Sequence, residues 1–84
     1  MNIAFTDEAW DDYTHWSVAD RKLLKKINDL IKDIKRHPFT GIGKPEPLRY
    51  SDLNAWSRRI DREHRLVYVI KDDVIIIQQA RFHY

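Results

Sequence analysis

The strongest constraint on the fold lies in the last third of the chain. There Leu66-Val67-Tyr68-Val69-Ile70 and Val74-Ile75-Ile76-Ile77 are apolar in both phases of a strand. A strand with one wet face alternates apolar and polar residues, so runs like these must be covered on both faces or lie under a partner chain. Asp72-Asp73 separates the two runs. Arg65 to Lys71 and Val74 to Phe82 are therefore predicted to form a hairpin turning at the two aspartates. The chain has 84 residues and no cysteine, so one domain is expected, without a disulfide framework. A domain this short buries only roughly 60% of its unfolded surface, so whatever covers the hairpin must do so economically.

The N-terminal half supplies that cover. Ile3 and Phe5 alternate with Asn2 and Ala4 as a short first strand. Thr6 is placed to cap a helix, with Asp7 and Glu8 in the first turn, where the helix dipole favours negative charge. Trp10, Tyr13 and Trp16 recur at spacing three and are read as one core stripe. Ser17-Val18-Ala19-Asp20 resembles a capping box opening a second helix that runs to about Arg36. Leu23, Leu24, Ile27, Leu30, Ile31 and Ile34 form its apolar face, and Pro38 forbids its continuation. Residues 38–47 hold all three prolines and both glycines, and read as a loop that pins Glu46 between Pro45 and Pro47. Pro47 to Tyr50 can begin a strand, Ser51-Asp52-Leu53-Asn54 turns, and Ala55 to Ile60 is the next strand. The predicted order is β-α-α-β-β-β, an α+β fold with two N-terminal helices packed on a twisted, largely antiparallel sheet.

Charge is distributed unevenly behind a net value of +2. Residues 1–20 carry five acids and no Lys or Arg, residues 21–36 carry seven bases against two acids, and residues 37–84 carry eight bases and six acids. Local basic surface able to hold a polyanion is expected. No signal-peptide pattern or membrane-length apolar run appears, so a soluble cytoplasmic protein is the expectation.

The chemistry follows from the residue types available. There is no metal-ligand spacing, Walker-type loop or Ser-His-Asp order. A carboxylate, guanidiniums and an imidazole are present, and that set suits metal-free cleavage of a phosphodiester by RNA's own 2′-hydroxyl. Such cleavage needs a base for the 2′ proton, an acid for the departing 5′ oxygen, and cations for the charge on the phosphorus oxygens. Glu46 can be the base, His83 the acid and Arg65 the charge stabiliser. Lys44, Arg49 and Arg59 are further phosphate contacts, and Tyr84 can contact or orient a nucleotide. Arginine suits these roles because its planar fork binds two oxygens at once. Each residue also has a plainer reading. Arg58, Arg59, Arg62 and Arg65 can be strand-edge charges that deter aggregation, and Arg65 can simply pair with Glu63 or Asp61.

Several separated motifs together carry a resemblance. They are Trp10-Asp11-Asp12-Tyr13, Lys25 to Asp33, Gly43-Lys44-Pro45-Glu46-Pro47-Leu48, Trp56-Ser57-Arg58-Arg59-Ile60, His64-Arg65-Leu66-Val67-Tyr68 and Arg81-Phe82-His83-Tyr84. In this order and spacing the chain resembles, over essentially its whole length, the YoeB/Txe branch of the RelE/ParE toxin superfamily. The resemblance implies a ribosome-dependent endoribonuclease that cuts mRNA in the A site of the 70S ribosome and is neutralised by a YefM- or Axe-type antitoxin. It assigns the catalytic glutamate to Glu46, the phosphate-stabilising arginine to Arg65, the general-acid histidine to His83, the terminal tyrosine to Tyr84 and a supporting arginine to Arg59. It implies no cofactor and no metal, a homodimer, and operator DNA reached only through the antitoxin. Arg49 departs from the family, which carries lysine there, and Phe82 stands at a tyrosine-like position. Two other readings stay open on the same fold: a ParE-like inhibitor of DNA gyrase, and an inactive protein that only binds its antitoxin and regulates transcription with it.

Overall fold

A computed structural model describes residues 1–49 and 51–82. Strand β1 (Asn2–Phe5) leads into helix α1 (Asp7–Ala19), helix α2 (Arg21–Arg36), and strands β2 (Glu46–Pro47), β3 (Trp56–Arg59), β4 (Arg65–Lys71) and β5 (Val74–Gln79). The sheet runs β1-β5-β4-β3-β2; β1 joins β5 in parallel and every other pair is antiparallel. The α+β architecture is the one expected; the strand proposed to begin at Pro47 is a two-residue edge strand at Glu46–Pro47, so four strands follow the helices where the β-α-α-β-β-β order counts three. Tyr50, in the proposed Pro47–Tyr50 strand, lies outside the described residues.

The helix starts show how local chemistry sets the boundaries. Thr6 caps α1, its hydroxyl accepting from Ala9 N–H at 3.1 Å. Asp20, not Ser17, caps α2: its carboxylate accepts from the N–H groups of Lys22 and Leu23 at 3.0 and 3.3 Å. Ser17 is inside α1 and donates to Thr14 O. The carboxylate reaches two orphan donors where the chain reverses, so the helical break falls three residues later than the capping-box reading places it.

One core fills the space between helices and sheet. Ile27, Leu30, Ile31 and Ile34 of α2 meet Leu66 and Tyr68 of β4 and Ile75 and Ile77 of β5. Of the aromatic stripe on α1, Trp16 alone is buried; Trp10 is 51% exposed and stacks on Tyr13 at 5.8 Å. The opposite face of β4 also closes, as its unbroken apolar run requires: Val67 and Val69 are buried with Ala55, and Leu48 packs against them. Asp72 and Asp73 turn the β4–β5 hairpin with φ of 52° and 61°, the left-handed pair that matches strand twist in a two-residue loop. No helix among the described residues is long and apolar enough to cross a membrane.

Candidate active site

The strand that carries Glu46 hangs from a loop built around one buried guanidinium. Arg58 is fully buried. Its Nη1 donates to Asp33 Oδ2 and to Ile42 O, its Nη2 to the carbonyls of His37 and Thr40, and its Nε to the Tyr68 hydroxyl. Tyr68 in turn donates to Pro38 O at 2.6 Å, and Ile42 N–H donates to Asp33 Oδ2 at 3.1 Å. The guanidinium bonded to Asp33 holds its carboxyl below the ordinary carboxylate range, against the opposing effect of burial. Burial pushes the Tyr68 hydroxyl up, and the Arg58 hydrogen bond partly opposes it. Arg58 is therefore not one of the strand-edge charges. The period-two phase carried the signal: Arg58 alternates in step with Trp56 and Ile60, which both face the helices.

Two glycines let the loop close on this clamp. Gly41 has φ of 115°, and a Cβ there would lie 2.0 Å from Asp33 Oδ2. Gly43 has φ of 80°, and a Cβ would meet Leu30 at 2.7 Å and the Arg59 carbonyl at 3.2 Å. With that clearance, Gly43 O accepts from Arg59 N–H at 2.7 Å and the loop enters β2.

Register then decides which side chains share a surface. Glu46 is paired with Ser57, Ser57 with Val67, and Arg59 with Arg65. Val67 lies on the face away from the helices, so Glu46, Ser57, Arg59 and Arg65 lie on that face too, because directly paired residues share a face and alternate residues repeat it. From strand spacing and rise, the Cα of Glu46 lies roughly 8 Å from that of Arg59 and roughly 12 Å from that of Arg65. Glu46 and Arg59 are exposed and Arg65 is half-buried. Arg65 Nε is buried without a hydrogen-bond partner among the described residues, and no ion pair joins Arg65 to Glu63 or Asp61 among them. Lys44 is exposed in left-handed backbone (φ 51°) where the β2–β3 ladder slips by a residue, and Arg49 is exposed just beyond β2. His83 and Tyr84 lie outside the described residues.

The segment leading to them is held at several points. A bulge between Val67 and Tyr68 pairing shifts β5 by one residue and ends the regular ladder. Beyond it, Ala80 N–H donates to Asp12 Oδ2 at 3.0 Å and Ala80 O accepts from Trp16 Nε1 at 2.8 Å. Phe82 O accepts from Arg65 N–H and from Gln79 Nε2, both at 3.0 Å, and Phe82 N–H donates to His64 Nδ1 at 2.8 Å. The residue that precedes His83 is thus bonded to the backbone of Arg65. Asp12 and His64 have roles that sequence reasoning missed; each bonds to a main-chain group far along the chain, which no side-chain pattern announces. Among the described residues no three His, Asp or Glu gather as a metal-binding group.

A family model for the YoeB-like toxin of the bacterial type II toxin–antitoxin system matches residues 5–84. The chain belongs to the YoeB toxin family. Toxin YoeB of Streptomyces coelicolor is 57% identical over 84 residues, covering 100% of both chains. A YoeB/ParE toxin from Agrobacterium tumefaciens has the same fold with a TM-score of 0.94 and 47% identity, again over 100% of both chains. YoeB from Staphylococcus aureus has been solved as a dimer (TM-score 0.92, 46% identity, 100% of this chain and 98% of that one) and in complex with YefM (TM-score 0.89, 45% identity, the same coverage). This YoeB-family chain is accordingly a toxin of a toxin–antitoxin system.

Proposed function

We propose that this YoeB-family toxin is a ribosome-dependent endoribonuclease that cuts mRNA in the ribosomal A site and so stops translation. The observation that carries the reading is the sheet register: one surface holds Glu46, Arg59 and Arg65, and the Arg65 backbone is bonded to the residue before His83. Glu46 takes the proton of the 2′-hydroxyl, whose oxygen then bonds to phosphorus. The bond from phosphorus to the 5′ oxygen breaks, and His83 gives that oxygen a proton. Arg65 carries the charge on the non-bridging oxygens; its buried Nε, unpaired among the described residues, is a donor whose desolvation a phosphate oxygen would offset. Arg59, Arg49 and Lys44 hold flanking phosphates, and Tyr84 orients a nucleotide. The products are a 2′,3′-cyclic phosphate and a 5′-hydroxyl. A YefM-type antitoxin silences the toxin by covering this surface, and two copies of the chain form a dimer; the complex and the dimer of the S. aureus relative support both partners.

The test is cleavage of mRNA on programmed 70S ribosomes, with ends mapped, beside Glu46→Ala and His83→Gln controls. A-site cuts bearing 5′-hydroxyl ends, reduced at least ~100-fold in each control, are expected. Intact mRNA in the presence of the unaltered toxin would overturn the reading and turn attention to DNA gyrase as target.

A further inference from the structure

Phe82 combines two facts that do not ordinarily go together. Its φ is 65°, left-handed backbone that a bulky residue rarely adopts, and the residue is 54% exposed. Apolar burial therefore contributes little to holding that conformation, and the bonds to its main-chain groups must do so. The carbonyl is bonded from within the sheet, by Arg65 N–H and Gln79 Nε2. The N–H donates, among the described residues, to the imidazole of His64 at 2.8 Å.

That imidazole is itself fixed. It is only 9% exposed and packs edge-on against Trp16 with ring centroids 4.7 Å apart. Asp61 Oδ1 accepts from His64 N–H at 2.7 Å, and His64 O accepts from Ile60 N–H at 3.0 Å, so the turn holds the backbone too. A ring that accepts at Nδ1 carries its proton on Nε2. Nε2 lies 3.3 Å from Glu63 Oε2, an acceptor that selects this tautomer. The sequence Glu63-His64-Arg65 thus joins a tautomer-setting carboxylate, an acceptor for Phe82 N–H and a donor to Phe82 O.

We propose that His64 is a positioning residue for RNA cleavage: by clamping the Phe82 main chain in its left-handed conformation beside Arg65, it sets where the chain enters His83. This rests on the endoribonuclease reading above. His64 touches no substrate; it acts through the backbone of Phe82, so the identity of the residue-82 side chain matters little.

The experiment pairs single-turnover cleavage on programmed ribosomes with NMR amide exchange, using the full chain and its His64→Leu and His64→Asn variants. Leucine keeps the bulk and removes the acceptor, whereas the Asn side-chain oxygen can take the place of Nδ1. Misplacing a reacting group by about 1 Å costs on the order of 100-fold. His64→Leu is therefore expected to lower the cleavage rate about 100-fold while the ribosome concentration at half-maximal rate stays within about threefold. His64→Asn should restore most of that loss. The Phe82 amide should be protected in the unaltered toxin and exchange freely in His64→Leu while β4 amides stay protected. Wild-type cleavage by a folded His64→Leu, or no recovery in a folded His64→Asn, would overturn the proposal. Should the leucine variant fail to fold, an unprotected Phe82 amide in the unaltered toxin would overturn it just as well. If the unaltered toxin cuts no mRNA, the catalytic reading falls, and with it the link to cleavage, while the amide data still decide whether His64 anchors Phe82.

Discussion

The loop of residues 37–43 leads into the strand that carries Glu46, and residues 80–82 lead to His83, yet the two segments are held by opposite means. The loop closes around an ion pair whose guanidinium is buried: Arg58 meets the half-buried Asp33 and bonds three loop carbonyls. The C-terminal segment hangs on bonds to single main-chain groups from Asp12, Trp16, His64 and Arg65, at 2.8–3.0 Å. The loop carries the proposed base on a strand wired into the core, so its geometry should survive until the domain unfolds. The other segment leads to the proposed acid: Ala80 belongs to the core, but the bonds to Phe82 are only part-buried or exposed and can open without exposing it. An antitoxin that displaces one side of the site would act on the second segment at far less cost than on the first.

Breaking the clamp gives the largest expected effect. Arg58→Leu leaves the Asp33 carboxylate with only the Ile42 N–H and takes the guanidinium donor from the carbonyls of His37, Thr40 and Ile42, and should cost about 3–5 kcal/mol in urea-induced unfolding. A loss below about 1 kcal/mol would mean that the loop is held by something other than the guanidinium. Acid should reach the same clamp by another route. The folded pKa of Asp33 lies below its unfolded value, so its contribution to stability is present above the unfolded value and lost as pH falls through the folded one. Stability measured from pH 6 downward should therefore fall in the acid range in the unaltered chain. In Asp33→Asn the fall should be smaller and the starting stability lower. An unchanged acid slope would show that Asp33 is not the group that couples the clamp to pH.

How much of this was legible in the sequence depends on whether a residue acts through burial or through a main-chain partner. The doubly apolar runs of β4 and β5, the α2 stripe and the Thr6 cap follow from periodicity and cap chemistry, which are local. Arg58 hid because composition counts a guanidinium as surface, and its acceptors are main-chain carbonyls of a loop whose path the sequence does not display. Asp20 and Ser17 are both competent caps, and only the point where the helices reverse chose between them. Glu46, Arg59 and Arg65 were picked out by residue type and resemblance, but their common face follows from register. A one-residue slip of β2 would turn Glu46 to the other side while leaving the sequence motif intact.

Positive-φ backbone occurs in both regions and separates them further. Gly41 sits at φ 115° with no room for a methyl group beside Asp33 Oδ2. That oxygen is the far end of a side chain but cannot swing away, because Arg58 Nη1 and Ile42 N–H both hold it. Gly41→Ala should therefore cost about 2–3 kcal/mol, combining backbone strain with displacement of the carboxylate. Stability unchanged within error would indicate that the loop repacks freely.

Phe82 should answer the corresponding change with the smallest effect of all. Glycine at φ 65° relieves roughly 1–2 kcal/mol of left-handed strain, and its greater freedom in the unfolded chain returns about 0.5–1 kcal/mol. The residue is more than half exposed, its lost ring lying 6.0 Å from the His64 ring and beneath the Arg81 guanidinium at 4.5 Å, so its packing is worth on the order of 0.5–1 kcal/mol. These contributions nearly cancel. Phe82→Gly should leave unfolding stability within about 0.5 kcal/mol of the parent, with the Phe82-position amide still protected, since both main-chain bonds remain available. A drop of several kcal/mol would mean that ring packing anchors this end, and the segment would then be built like the loop, as part of the core.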